Sequence, residues 1–121
     1  MPLSVKVRIQ VFLPDLPRPA YQNLLEALEQ EFTYTFGGAT IVRGLDGSYL
    51  SQAGLSIRDR INLIFTDAPF SLQDNMKLVS AYADSLRDAA YSALEEEAIL
   101  VVALEVHHAE SPSPRLRLIA D

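Results

Sequence analysis

The sequence predicts an α+β domain with elements in the order β-α-β-β-α-β, a four-stranded antiparallel sheet carrying two helices on one face. Three observations predict it. Residues 5–13 alternate apolar and polar without a break, residues 19–32 and 72–94 carry apolar stripes at steps of three and four, and glycine or proline clusters separate these segments.

In the first strand Val5, Val7, Ile9, Val11 and Leu13 take one side, and Lys6, Arg8, Gln10 and Phe12 the other. Such a period of two, rich in β-branched residues, marks a strand buried on one face. Pro14, Pro17 and Pro19 end it, and Pro19 opens a helix whose stripe is Tyr21, Leu24, Leu25, Leu28 and Phe32. Gly37-Gly38 breaks that helix. Residues 39–43 read as a short second strand, and 44–56 as a turn-rich loop or an extended hairpin. The third strand, 57–66, alternates again. Its more apolar side (Ile57, Ile61, Leu63, Phe65) is expected to face the helices, and Arg58, Arg60, Asn62 and Ile64 to face outward. Ser71 and Asp74 provide a start for the second helix, striped by Leu72, Met76, Val79, Ala83, Leu86, Ala90 and Leu94. Residues 98–106 are almost wholly apolar, as in a strand covered on both faces. The order is the ferredoxin-like split β-α-β arrangement, with strands expected as 4-1-3-2. One domain spans 1–110, and 111–121, starting Ser-Pro-Ser-Pro, forms an extended or disordered tail.

The chain has 121 residues, 49% hydrophobic and 21% charged, which excludes collagen, coiled coil and wholesale disorder. No cysteine is present, so disulfides, thiolate zinc sites and cysteine nucleophiles are excluded. The apolar run 98–104 is far shorter than the ~20 residues of a membrane span, and the first residues lack the pattern of an export signal. A cytoplasmic protein with no membrane contact is expected. A net charge of −6 argues against general polyanion binding. Nucleic acid is not an expected partner either: Phe12 is the one aromatic assigned to the outward face, and the glycine-aromatic signature of RNA-recognition sheets is absent.

Both helices must lie on one side of the sheet, which leaves the other bare. By the parity above, that face carries Lys6, Arg8, Arg58, Arg60 and Arg43, five of the ten cations. An apolar row from the fourth strand lies beside them. Bare apolar rows mark association, so a homodimer formed through the sheet face is expected. The arginines, whose planar forks hold carboxylates or phosphates, make a small anionic ligand the expected second partner. The ligand-binding candidates are Arg8, Arg60, Asn62, Arg43, Tyr49 and His107, with Tyr49 chosen as an aromatic between loop glycines. No metal site is expected, because Glu105 and His107 share a strand face while His108 points away. No cofactor motif occurs, and neither a phosphate-binding loop nor a serine-nucleophile elbow is present.

By element order, length and a bare sheet with an apolar row, residues 3–110 resemble the dimeric ferredoxin-like (α+β barrel) proteins. The stretch Gly37-Gly38-Ala39-Thr40-Ile41-Val42 followed by Gly44 is similar to small bacterial proteins of that fold with no assigned activity. The wider group includes cofactor-independent monooxygenases, isomerases, haem-handling enzymes and small-molecule sensors. None of their catalytic or haem-ligand patterns is found in this sequence. Trimeric nitrogen-signalling proteins of the P-two type are similar in strand order and in the long second-to-third strand connection, but their nucleotide-binding signatures are missing. The arginine-rich central strands beside an apolar fourth strand make a non-enzymatic dimeric module, its open sheet face forming an interface and holding a small anion, the expected function. The alternative is a cofactor-independent enzyme for a carboxylated molecule, with His107 or Tyr49 moving the proton and Arg8 or Arg60 holding the substrate.

Overall fold

The computed structural model describes residues 3–94 and 99–109. Strand β1 (Leu3–Pro14) leads to helix α1 (Pro19–Phe36), followed by β2 (Thr40–Leu50) and β3 (Ser56–Ala68). A 3₁₀ turn (Gln73–Asn75) then runs into α2 (Met76–Leu94), and β4 (Leu100–Ala109) completes the domain. The strands form one antiparallel sheet in the order β2-β3-β1-β4, which is the expected 4-1-3-2 read from the other edge. The fold is therefore the ferredoxin-like α+β arrangement. No helix among the described residues is long and apolar enough to cross a membrane.

The local causes follow the sequence. Extended Arg18 and Pro19 start α1, where the missing proline N–H leaves no bond unmade. Gly37 ends the helix in the left-handed region at φ 95°, and its N–H donates to Thr33 O at 2.9 Å. The stripe of α1 buries Tyr21, Leu25, Leu28 and Phe32, and that of α2 buries Val79, Leu86 and Ala90. Both press onto Val7, Ile9, Val11 and Leu13 of β1, so the core lies wholly between sheet and helices. Leu72 and the residues up to 75 belong to the tighter 3₁₀ turn, so the second helix starts later than its stripe predicts.

Three features of the sheet decide or alter what the sequence leads one to expect. Residues 44–56 take the extended-hairpin alternative and are mostly strand: β2 and β3 form a long hairpin whose connection is only residues 51–55. A bulge between Val42 and Leu45 inserts one residue, accommodated by Gly44 at φ 69°. Second, β4 is covered on one face only, because Ile99, Val101 and Ala103 pack on the core while Leu100 remains 57% exposed. Third, and most important, β3 presents the opposite side to that expected. Its register on β1 pairs Leu13 with Asn62, Val11 with Ile64, Ile9 with Thr66 and Val7 with Ala68. Directly paired residues share a face, so the even-numbered residues of β3 meet the helices, and Asn62, Ile64, Thr66 and Ala68 are buried. The two polar ones are satisfied locally. Asn62 Oδ1 accepts the Gly44 N–H at 3.0 Å, and Thr66 Oγ1 donates to Gly38 O at 2.6 Å.

Candidate functional site

Reversing β3 changes the bare face from basic to apolar. One row crosses all four strands: Leu100 pairs with Phe12, Phe12 with Leu63, and Leu63 with Val42. The next row is Val102, Gln10, Phe65 and Thr40, and the row on the hairpin side is Pro14, Ile61 and Leu45. No described element covers these side chains. The hairpin continues past the end of β1, since β3 pairs with β1 only from Ile61 onward. Tyr49, Leu50 and Leu55 stand exposed on this arm, and Tyr49, paired with Ile57, belongs to the same face as the apolar rows.

At the far end of the face lies a charged corner. Arg8 donates through Nε to Asp67 Oδ1 at 2.8 Å and through Nη2 to Oδ2 at 3.0 Å, a two-pronged pair. Its guanidinium also sits 4.4 Å from the centre of the Phe65 ring. His108 Nε2 lies 2.8 Å from Asp67 Oδ2, and since a carboxylate only accepts, the ring nitrogen is the donor. The Arg8 hydrogen bonds hold the Asp67 carboxyl below the ordinary aspartate range, against the opposing pull of burial, and His108 adds to the lowering.

A carboxyl whose native value lies below its unfolded value of about 3.9 contributes stability that is complete above that value. The contribution disappears as pH falls through the lower native value. Asp67→Asn is expected to lose about 1–2 kcal/mol at neutral pH, as for a hydrogen-bonded charge at a half-buried site. The gap to wild type should close on acidification, read from urea melts at pH 7 and at successively lower pH. A gap of constant size would show that Asp67 does not carry this dependence.

The six ligand-binding candidates are not brought together. Arg8 lies on the bare face, but its fork is already occupied by Asp67. Arg60 and Arg58 project to the helix side of the sheet, beyond the end of the helix layer, because their even numbers share the side of Asn62. Asn62 is buried at the hairpin root, with Nδ2 donating to Asp15 Oδ1 at 3.2 Å. Arg43 lies by α1, donating to Gln22 Oε1 at 3.4 Å. His107 is half-exposed on the helix side of β4, 3.5 Å from Glu105, and pairs with Val5 near the start of β1. Tyr49 lies on the arm past Pro14, so roughly 40 Å of strand separates it from His107. The placement of five cations on one face is thus corrected to Lys6 and Arg8. The substrate-holding and proton-moving pairs of the enzyme alternative do not meet.

Asp67 and His108 are the partners that sequence reasoning missed. In the sequence Asp67 reads as the close of a strand, and its place opposite Arg8 depends on pairing between residues 59 apart. Tyr82 is no better suited to catalysis: its hydroxyl donates to Glu31 at 2.7 Å, and burial, reinforced by that carboxylate, pushes it above the ordinary tyrosine value. Among the described residues no three His, Asp or Glu side chains gather as a metal site would require. Glu110, the acidic triplet 95–97 and the alternating segment 115–119 lie outside the described residues.

No protein-family model matches the chain, and no curated protein sequence matches it. Solved structures do. CutA1 from Oryza sativa is 17% identical, with 89% of this chain and 85% of that one covered at a TM-score of 0.57. A divalent cation tolerance protein (Cut A1) from Thermus thermophilus is 18% identical, with coverage of 94% and 91% and a TM-score of 0.52. CutA from Xylella fastidiosa is 13% identical, with coverage of 95% and 92% and a TM-score of 0.52. At such identities the likeness is one of fold: the chain shares the ferredoxin-like architecture of the CutA proteins.

Proposed function

We propose that this protein is a non-enzymatic module that works as a closed assembly of copies of itself, joined through the bare sheet face. One observation carries the reading: the more apolar side of β3, with Ile57, Ile61, Leu63 and Phe65, turns away from the chain's own helices. Burial of apolar surface drives folding, so a strand that gives Thr66 and Ala68 to its core and Leu63 and Phe65 to its outside needs a second surface. The rows on β1, β2 and β4 extend that surface across the whole sheet.

A second copy is the occupant that fits. In a chain of net charge −6, the face gathers apolar side chains, and Arg8 at its corner is already paired with Asp67. A carboxylate that already holds two donors is covered at less expense than an unpaired one. Two copies related by a two-fold axis are the smallest closed arrangement that buries the same patch on both partners. The arm, with exposed Tyr49, Leu50 and Leu55, supplies further apolar contact beyond the face.

Sedimentation equilibrium at micromolar concentrations tests this. The expected mass is a whole multiple, two or greater, of the 13.4 kDa chain, and a single-chain mass throughout that range would overturn the proposal.

A further inference from the structure

The hairpin arm and the turn from β1 into α1 enclose an open cleft of about 740 Å³, lined by Asp15, Leu16, Asp46, Ser48, Arg58 and Arg60 among others. Asp46, Ser48, Arg58 and Arg60 reach it from the helix side of the hairpin, and Gly47 and Asp59 complete its lining. Arg58 and Arg60 point the same way from one strand, with their backbones roughly 7 Å apart. Neither is in an ion pair among the described residues, and neither are Asp15 and Asp46. Opposite charges thus face one cleft without closing on each other.

Their spacing is built into the backbone. The Asp15 N–H donates to Arg60 O at 2.8 Å, and nearly wholly buried Asn62 ties the Asp15 carboxylate to the Gly44 bulge. The Arg60 guanidinium lies over that bulge, where a Cβ at position 44 would come within 2.6 Å of Nη2. Acid and base are therefore presented from segments locked to one another.

We infer that this cleft binds a small zwitterion, an amino-carboxylate of the free amino acid class. The ligand's carboxylate meets the guanidinium forks of Arg58 and Arg60, and its ammonium meets Asp15 and Asp46. A pure anion would face the carboxylates that line the cleft, and a pure cation would face the two arginines. A group carrying both signs a few ångströms apart satisfies both sets. The volume falls within the usual range for small-molecule sites and leaves room for a side chain.

The test is thermal melting of the full chain with each protein amino acid in turn, with succinate as the anion-only and putrescine as the cation-only control. At least one amino acid is expected to raise the melting temperature by roughly 5 °C at ten times its Kd, with neither control doing so. Arg60→Gln and Asp15→Asn should each weaken that amino acid about tenfold or more. No shift with any amino acid, or an equal shift with succinate or putrescine, overturns the assignment. Sedimentation in parallel separates this from the assembly proposal, since a monomer that binds amino acids would sink only the latter.

Discussion

Leu63→Asp is expected to reduce the assembly to single chains while leaving the fold intact. Leu63 stands in the middle of the row Leu100, Phe12, Leu63 and Val42 and is not among the residues packed on the core. In the isolated chain the aspartate stands on the uncovered side of a central strand, so the change in folding stability should stay near the roughly 1 kcal/mol span of strand propensity. In the assembly it would be a buried charge without a partner, which costs about 3–5 kcal/mol. That weakens association on the order of 100-fold or more at each contact. Gln30→Glu, which adds the same charge on the exposed side of α1, serves as the control and should keep the wild-type mass. Sedimentation of both variants, with circular dichroism to confirm the fold, reads the outcome. A Leu63→Asp protein with the wild-type mass would place the contact elsewhere.

Phe32→Ala should produce the largest loss of folding stability. Phe32 is fully buried, among the largest such side chains, and its ring centre lies 6.3 Å from that of Phe36. It comes from the last turns of α1 and belongs to the buried cluster that also holds Ile64 and Ala68 of β3. Removing a buried phenyl costs about 3–5 kcal/mol through lost transfer energy and the cavity left behind. Against a total of roughly 5–15 kcal/mol for a domain, this is a large share. Urea melts should show a lower midpoint with the slope unchanged. A loss below about 1 kcal/mol would mean that the layer between α1 and β3 is looser than its burial shows.

The elements legible in the sequence are those whose signals are local. Period-two alternation in β1 and three-and-four spacing in α1 identify both the element and its buried side. Gly37 and the prolines at 14, 17 and 19 give boundaries, because backbone geometry at those residues depends on the residue itself. Six such elements in order were enough for the sheet topology, since connections are short and few arrangements satisfy them. The expectation of a bare sheet with an apolar row rested on the same local evidence.

The arginine site was not legible, for one reason. On β3 both alternate sets contain apolar residues, and a local reading sends the more apolar set inward. A strand's own pattern measures how much surface wants burial, not whether its own helices or another surface will bury it. Register on β1 decided that Ile64, Thr66 and Ala68 go in, and with it moved Arg58 and Arg60 off the bare face. The same register brought Asp67 to Arg8, and pairing of β4 with β1 brought His108 to Asp67.

What the sequence determined by itself, then, was the order of elements, the inner side of β1 and both helices, and the existence of an uncovered sheet face. Only the tertiary structure decided what that face is made of, because a one-residue change of pairing exchanges every side chain between the two sides of a strand.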